Sequence, residues 1–112
     1  MSKRNSPELL IDDIVEWGRK ILRYTENMDI TAFNENDLVM DAVIRNFEII
    51  GEAANRLPED FKEIHAEIEW HRIRGFRNRI VHDYAGIDTN IVWGIIVDFL
   101  PSMLESLAKF TK

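Results

Sequence analysis

The residue types best suited to chemistry lie close together, in Arg72-Ile73-Arg74-Gly75-Phe76-Arg77-Asn78-Arg79-Ile80-Val81-His82-Asp83-Tyr84. Histidine titrates near neutral pH and can move protons, and arginine carries a permanent charge in a fork that matches phosphate oxygens. Asparagine adds an orienting donor. This set needs no nucleophile from the protein if the ribose 2′-OH of an RNA attacks its own phosphodiester. His82 would then take or return a proton. Arg77 would stabilise the pentacoordinate transition state, with Asn78 in support. Arg74 and Arg79 are the further candidates for phosphate contact, and the products would be a cyclic phosphate and a 5′-hydroxyl.

Such chemistry sets demands on the scaffold. On one helix Arg74, Asn78 and His82 recur at i, i+4 and i+8 and form a polar row, while Phe76, Ile80 and Val81 face the core. Arg77 falls about 140° around from His82 on the 3.6-residue repeat, so one copy does not easily bring both to the same phosphate. Two copies across a symmetry axis could. The same row also fits a solvated or salt-bridged surface, and composition alone does not choose between the two readings.

Composition narrows the setting. The chain has 112 residues, 46% apolar and 30% charged, which is the balance of a globular protein and predicts a single domain over 1–112. It contains no cysteine, which excludes disulfide frameworks, thiolate zinc sites and thiol nucleophiles. Ile91 to Leu100 is the longest apolar stretch, is interrupted by Asp98, and is expected to be too short for a bilayer. No secretory signal follows MSKRNS, so a cytoplasmic location and no membrane partner are expected. Net charge is −6, yet residues 71–84 hold four arginines against Asp83 alone. A compact basic site on an acidic body suits a few phosphates rather than a long nucleic-acid track.

The elements that must carry this site read as helices. Ser6 and Pro7 make an N-cap and first helical residue, followed by Glu8, Asp12 and Asp13 near the positive helix start. Leu10, Ile14, Trp17, Ile21, Tyr24 and Met28 then form one packing stripe. Asn27 to Asn36 reads as a polar connection, and Asn34 or Asn36 can cap a second helix to about Leu57, with Val39, Val43, Phe47, Ile50, Ala54 and Leu57 facing inward. Pro58 to Glu67 predicts a shorter helical piece, and Trp70 to His82 a further helix ending in a turn at Tyr84 to Ile87. Asp88 can cap the last helix, in which Pro101 predicts a kink or break. The expected fold is an all-α bundle of four to five helices. Ile44, Ile49, Trp93 and Val97 lie off the main stripes and suggest a homodimer.

The string Arg77-Asn78-Arg79-Ile80-Val81-His82-Asp83-Tyr84 resembles the Arg-x4-His-x-Tyr motif of HepT-like toxins in the HEPN superfamily. The similarity extends through Ile49-Ile50-Gly51-Glu52-Ala53-Ala54, Trp70, Ile73-Arg74-Gly75-Phe76 and Gly86-Ile87-Asp88. This resemblance implies a dimeric helical bundle, a metal-independent ribonuclease without cofactor, Arg77 and His82 as the catalytic pair, and Asn78 as a supporting residue. It also implies a partner, a minimal nucleotidyltransferase antitoxin that transfers AMP from ATP to Tyr84. The added phosphates would place negative charge and bulk where RNA must enter. A reading of another class is a catalytically idle helical module that docks on the nucleotidyltransferase and helps it hold a substrate.

Other residues invite weaker readings. His65, Glu69 and His71 could be drawn as a metal site, but no third ligand falls at a recognised spacing. Glu48 and Glu52, one turn apart, could orient Arg77 or pair with other arginines. Trp17, Trp70 and Trp93 could stack bases, although tryptophans at helical spacing usually serve packing.

Overall fold

The computed structural model describes residues 6–76 and 88–110, and all regular structure among them is helical. Helix α1 (Pro7–Tyr24) begins where expected. The Ser6 hydroxyl accepts from the Leu9 N–H at 3.3 Å, and Pro7 sits where no amide proton is needed. Its inner side buries Leu10, Ile11, Ile14, Val15, Gly18 and Ile21. That stripe is broader than the one read from spacing, and Tyr24, assigned to it, is exposed. The Thr25 hydroxyl closes the helix by donating to the Ile21 carbonyl at 2.8 Å. Asn27 then turns the chain with φ of 66°, a left-handed conformation that asparagine tolerates.

The connection expected between Asn27 and Asn36 contains a short helix, α2 (Ile30–Asn34), capped by Asp29 accepting from the Ala32 N–H at 2.8 Å. Phe33 explains why it forms. That ring is fully buried, 5.2 Å from the Trp93 ring, so a polar segment folds to deliver one aromatic to the core. Asn36 caps α3 (Asp37–Arg56), its Oδ1 accepting from the Val39 N–H at 3.0 Å. Val43, Phe47, Ile50 and Ala54 of α3 are fully buried, and α3 packs most extensively on α1.

After Pro58 come α4 (Glu59–Ile64) and α5 (Trp70–Arg74). Lys62 is buried, an outcome its type does not suggest. Its ammonium donates to the Ala54 carbonyl at 3.3 Å and lies 3.5 Å from Glu59. It thereby ties α4 to the C-terminal end of α3.

Asp88 caps α6 (Thr89–Gly94), accepting from the Asn90 and Ile91 N–H groups. The helix neither breaks nor simply kinks at Pro101. It widens into a π-helical turn, Ile95–Phe99, before continuing as α7 (Leu100–Leu107) and a 3₁₀ turn, Ala108–Phe110. The Leu100 N–H reaches back to the Ile95 carbonyl, and the Ser102 hydroxyl donates to the Phe99 carbonyl at 3.0 Å. A longer-range backbone bond and a side chain thus accommodate the amide that proline lacks. The whole stretch Thr89–Phe110 is long and apolar enough to cross a membrane by length and composition alone. Here Ile95, Ile96, Phe99, Leu100, Met103, Leu104 and Leu107 are buried in the core.

Gly18 lets α7 approach α1. A Cβ at that position would lie 2.6 Å from Leu104 Cδ2, inside contact distance. Of the four apolar residues expected to be surplus, Ile44 is buried and Trp93 packs on Phe33. Ile49 is half-buried and Val97 is exposed.

Candidate active site

The segment leading into the basic string is anchored by three contacts. Trp70 is buried, and its indole N–H donates to the His65 carbonyl at 3.0 Å. Ile73 is fully buried one turn later. Phe76 inserts edge-on between two core rings, 5.0 Å from Phe47 and 5.7 Å from Phe99, as its apolar periodicity predicts. The entry to the string is therefore fixed by aromatic packing.

Helix α5 is shorter than expected. It ends at Arg74, and Gly75 follows as its C-cap with φ −77° and ψ −8°. A regular helix has ψ near −42°, so the continuous helix expected from Trp70 to His82 is interrupted at Gly75. Its close backbone fits a glycine, since a Cβ there would meet the His71 carbonyl oxygen at 3.1 Å. Arg77, Asn78, Arg79, His82 and Tyr84 lie outside the described residues, as do Ile80, Val81 and the turn at Tyr84 to Ile87.

The two arginines of the string that are described, Arg72 and Arg74, behave differently. Arg72 is held, with its guanidinium 4.2 Å above the Phe99 ring and 3.5 Å from Glu69. Arg74 is exposed and, among the described residues, pairs with Glu59 at 3.9 Å. An exposed ion pair of that length contributes about 0–1 kcal/mol, so an incoming phosphate can compete for Arg74. Glu59 has a double role that spacing does not reveal, since it also faces Lys62.

Gly51 supplies the platform. A Cβ on it would lie 3.5 Å from the Ile73 carbonyl oxygen and 3.7 Å from that of Arg74, so the end of α5 rests on α3 at this point. Alanine fits that spacing, and a longer side chain would not. One turn away, Arg45, Glu48, Ile49 and Glu52 line an open cleft of about 210 Å³. Glu52 pairs with Arg56 at 3.4 Å.

The weaker readings resolve into packing. His65 packs between Phe61 and Phe110 in tilted and edge-on contacts, at 4.6 and 4.5 Å, and Glu69 faces Arg72. Trp17 lies under the Lys20 ammonium at 4.1 Å, and Trp70 and Trp93 contribute to the core as described. Asn46 is buried on α3 and its Nδ2 has no hydrogen-bond partner among the described residues.

The model of the family described as ribonuclease HepT-like matches residues 14–110. The chain belongs to the HepT-like family. It is 36% identical over 107 residues to "Putative RNase MJ1380" of Methanocaldococcus jannaschii, covering 96% of this chain and 97% of that protein. It is 34% identical over 110 residues to "Probable ribonuclease HepT" of Thermococcus cleftensis, covering 98% and 99%. No solved structure matches it. The HepT-like match spans α3, α5 and α6 and encloses the basic string.

Proposed function

We propose that this HepT-like chain is a metal-independent endoribonuclease, the toxin of a pair whose antitoxin is a minimal nucleotidyltransferase. The observation that carries the reading is the family match over residues 14–110, which encloses the string Arg77 to Tyr84. In this mechanism His82 moves the proton of the attacking 2′-OH or of the leaving oxygen, Arg77 neutralises charge building on the phosphorane, and Asn78 orients it. Arg74 and Arg79 hold flanking phosphates. The exposed, loosely paired state of Arg74 supports that assignment. Two copies of the chain complete one cleft, and AMP added to Tyr84 closes it by charge and bulk.

The test is cleavage of RNA by the purified chain in chelator. The parent should leave cyclic phosphate and 5′-hydroxyl ends, and Arg77→Ala and His82→Ala should each lower the rate by on the order of 10² to 10⁴. Co-expression with a nucleotidyltransferase should add AMP mass to the parent and not to Tyr84→Phe, with cleavage suppressed. Equal cleavage by all three chains, or none by the unmodified parent, overturns the reading in favour of a docking module.

A further inference from the structure

One carboxylate at the junction of α4 and α5 holds two cations from different helices. Glu59, the first residue of α4, lies with Oε2 at 3.5 Å from the Lys62 ammonium and with Oε1 at 3.9 Å from the Arg74 guanidinium. Among the described residues, the contact with Arg74 is the one ion pair that joins two helices. Its two sides are unequal. The Lys62 side chain is 7% exposed and also donates to the Ala54 carbonyl near the end of α3, where positive charge is favoured. The Arg74 side chain is 40% exposed. Taking the carboxylate from Lys62 would leave a buried ammonium without its counter-charge, whereas taking it from Arg74 leaves a guanidinium that water solvates. Under competition, Glu59 therefore stays with Lys62 and Arg74 is the side that lets go.

Arg74 stands in the opening turn of the basic string, and it differs from Arg72, which is occupied by the Phe99 ring and by Glu69 of its own helix. A phosphate arriving at Arg74 meets a guanidinium that already has an anion beside it. The Glu59 side chain is mostly exposed, so its charge repels the phosphate until the guanidinium turns away.

We propose that Arg74 is a phosphate site with a resident competitor, the Glu59 carboxylate, which Lys62 holds in place and which sets how tightly RNA is taken up. The proposal rests on the ribonuclease reading for the identity of the incoming anion. A lone phosphate ion gains a single contact and displaces the carboxylate poorly. RNA held at neighbouring phosphates delivers the next one at high effective concentration, and so opens the contact. Glu59 is thus a positioning residue, acting through Arg74, and it makes the site answer to a polyanion rather than to small anions.

The experiment measures binding of a labelled 2′-O-methyl oligonucleotide of mixed sequence, which has the phosphates but not the attacking hydroxyl, beside cleavage of the same sequence as RNA. Glu59→Gln should tighten binding by about three- to fivefold, roughly what an exposed ion pair contributes, and should lower KM by a similar factor while kcat moves little. Glu59→Asp keeps the charge but is one methylene shorter and does not span both cations, so its binding should fall within about twofold of that of Glu59→Gln. Arg74→Gln should weaken binding and make the log–log salt dependence shallower by about 0.7, the loss of one phosphate contact. Adding Glu59→Gln to Arg74→Gln should then change nothing further. Glu63, exposed on the same helix and without an ion pair among the described residues, is the control, and Glu63→Gln should leave binding within about 1.5-fold of the parent. Binding that is unchanged in Glu59→Gln, that stays at the parent value in Glu59→Asp, or that tightens equally in Glu63→Gln or with Arg74 already replaced would each overturn the proposal. RNA cleavage that is intact but indifferent to Glu59 would overturn this proposal alone. Oligonucleotide binding that follows Glu59 as expected, with no RNA cleavage by the parent, would overturn the ribonuclease reading and leave the phosphate site standing.

Discussion

The seam between α1 and α3 and the outward sides of the same two helices are built by opposite rules. Within the seam Ile14, Ile21, Val43, Phe47, Ile50 and Ala54 have no exposure at all. Outside it, Asp12, Asp13 and Glu16 on α1 and Asp41, Arg45, Glu52 and Arg56 on α3 face solvent. Burial of apolar surface contributes roughly 25 cal/mol per Å², whereas an exposed ion pair contributes at most about 1 kcal/mol. The inner side therefore decides whether the chain folds. The outer side is left free to encode what the folded chain meets.

The largest effect that would break this contrast is expected at Phe47. Its ring is fully buried and packs edge-on with Phe76, so it belongs both to the seam and to the entry of the basic string. Phe47→Ala should cost about 3–5 kcal/mol in denaturant unfolding, a large share of the stability of a domain this size. RNA cleavage should fall even at temperatures where the variant stays folded, because Phe76 loses one of the two rings that hold it. A change below about 1 kcal/mol would show that the seam collapses around the gap and that the two rules are less distinct than burial implies.

Much of the seam was legible in the sequence because periodicity and caps are local signals. Ser6, Asn36 and Asp88 cap the helices they were assigned to, and the α3 stripe from Val43 to Ala54 is buried as spaced. What escaped depended on partners distant in sequence. Helix α2 forms around Phe33, whose partner Trp93 lies near the other end of the chain. Lys62 is buried because the Ala54 carbonyl and Glu59 receive its ammonium, and no lysine announces that by type. Pro101 points to a disturbance but does not by itself specify a π-helical turn, which runs over Ile95–Phe99 ahead of it. Of the candidate site, the order of residue types from Arg74 to Tyr84 was readable. The pairing of Arg74 with Glu59 and the support of α5 by Gly51 were not, since each joins separate helices.

A smaller effect should sharpen the contrast on α3 itself. Arg56 and Glu52 lie 3.4 Å apart with both side chains more than half exposed. Arg56→Ala should change unfolding stability by less than about 0.5 kcal/mol in denaturant titrations. A larger loss would place Arg56 among the residues that fold the chain.

The smallest effect concerns α1, where the outward charges work against the fold. Glu8 lies in the first turn and benefits from the positive helix start, but Asp12 and Asp13 lie beyond the reach of that field, contrary to the grouping expected from sequence. Partial burial, with Glu16 and Asp12 nearby, raises the Asp13 carboxyl above the usual aspartate range. Between the unfolded and folded pKa values the folded chain keeps a proton that the unfolded chain has released. Stability accordingly falls as pH rises through that window and stays at the lower level above it. Asp13→Asn removes the ionisation, so the variant should be slightly more stable than the parent at neutral pH. The difference should shrink on acidification and vanish below the unfolded aspartate pKa, about 3.9, in paired denaturant titrations. A variant less stable than the parent at neutral pH would mean that the Asp13 carboxylate supports α1, and that the outward side of this helix shares in folding.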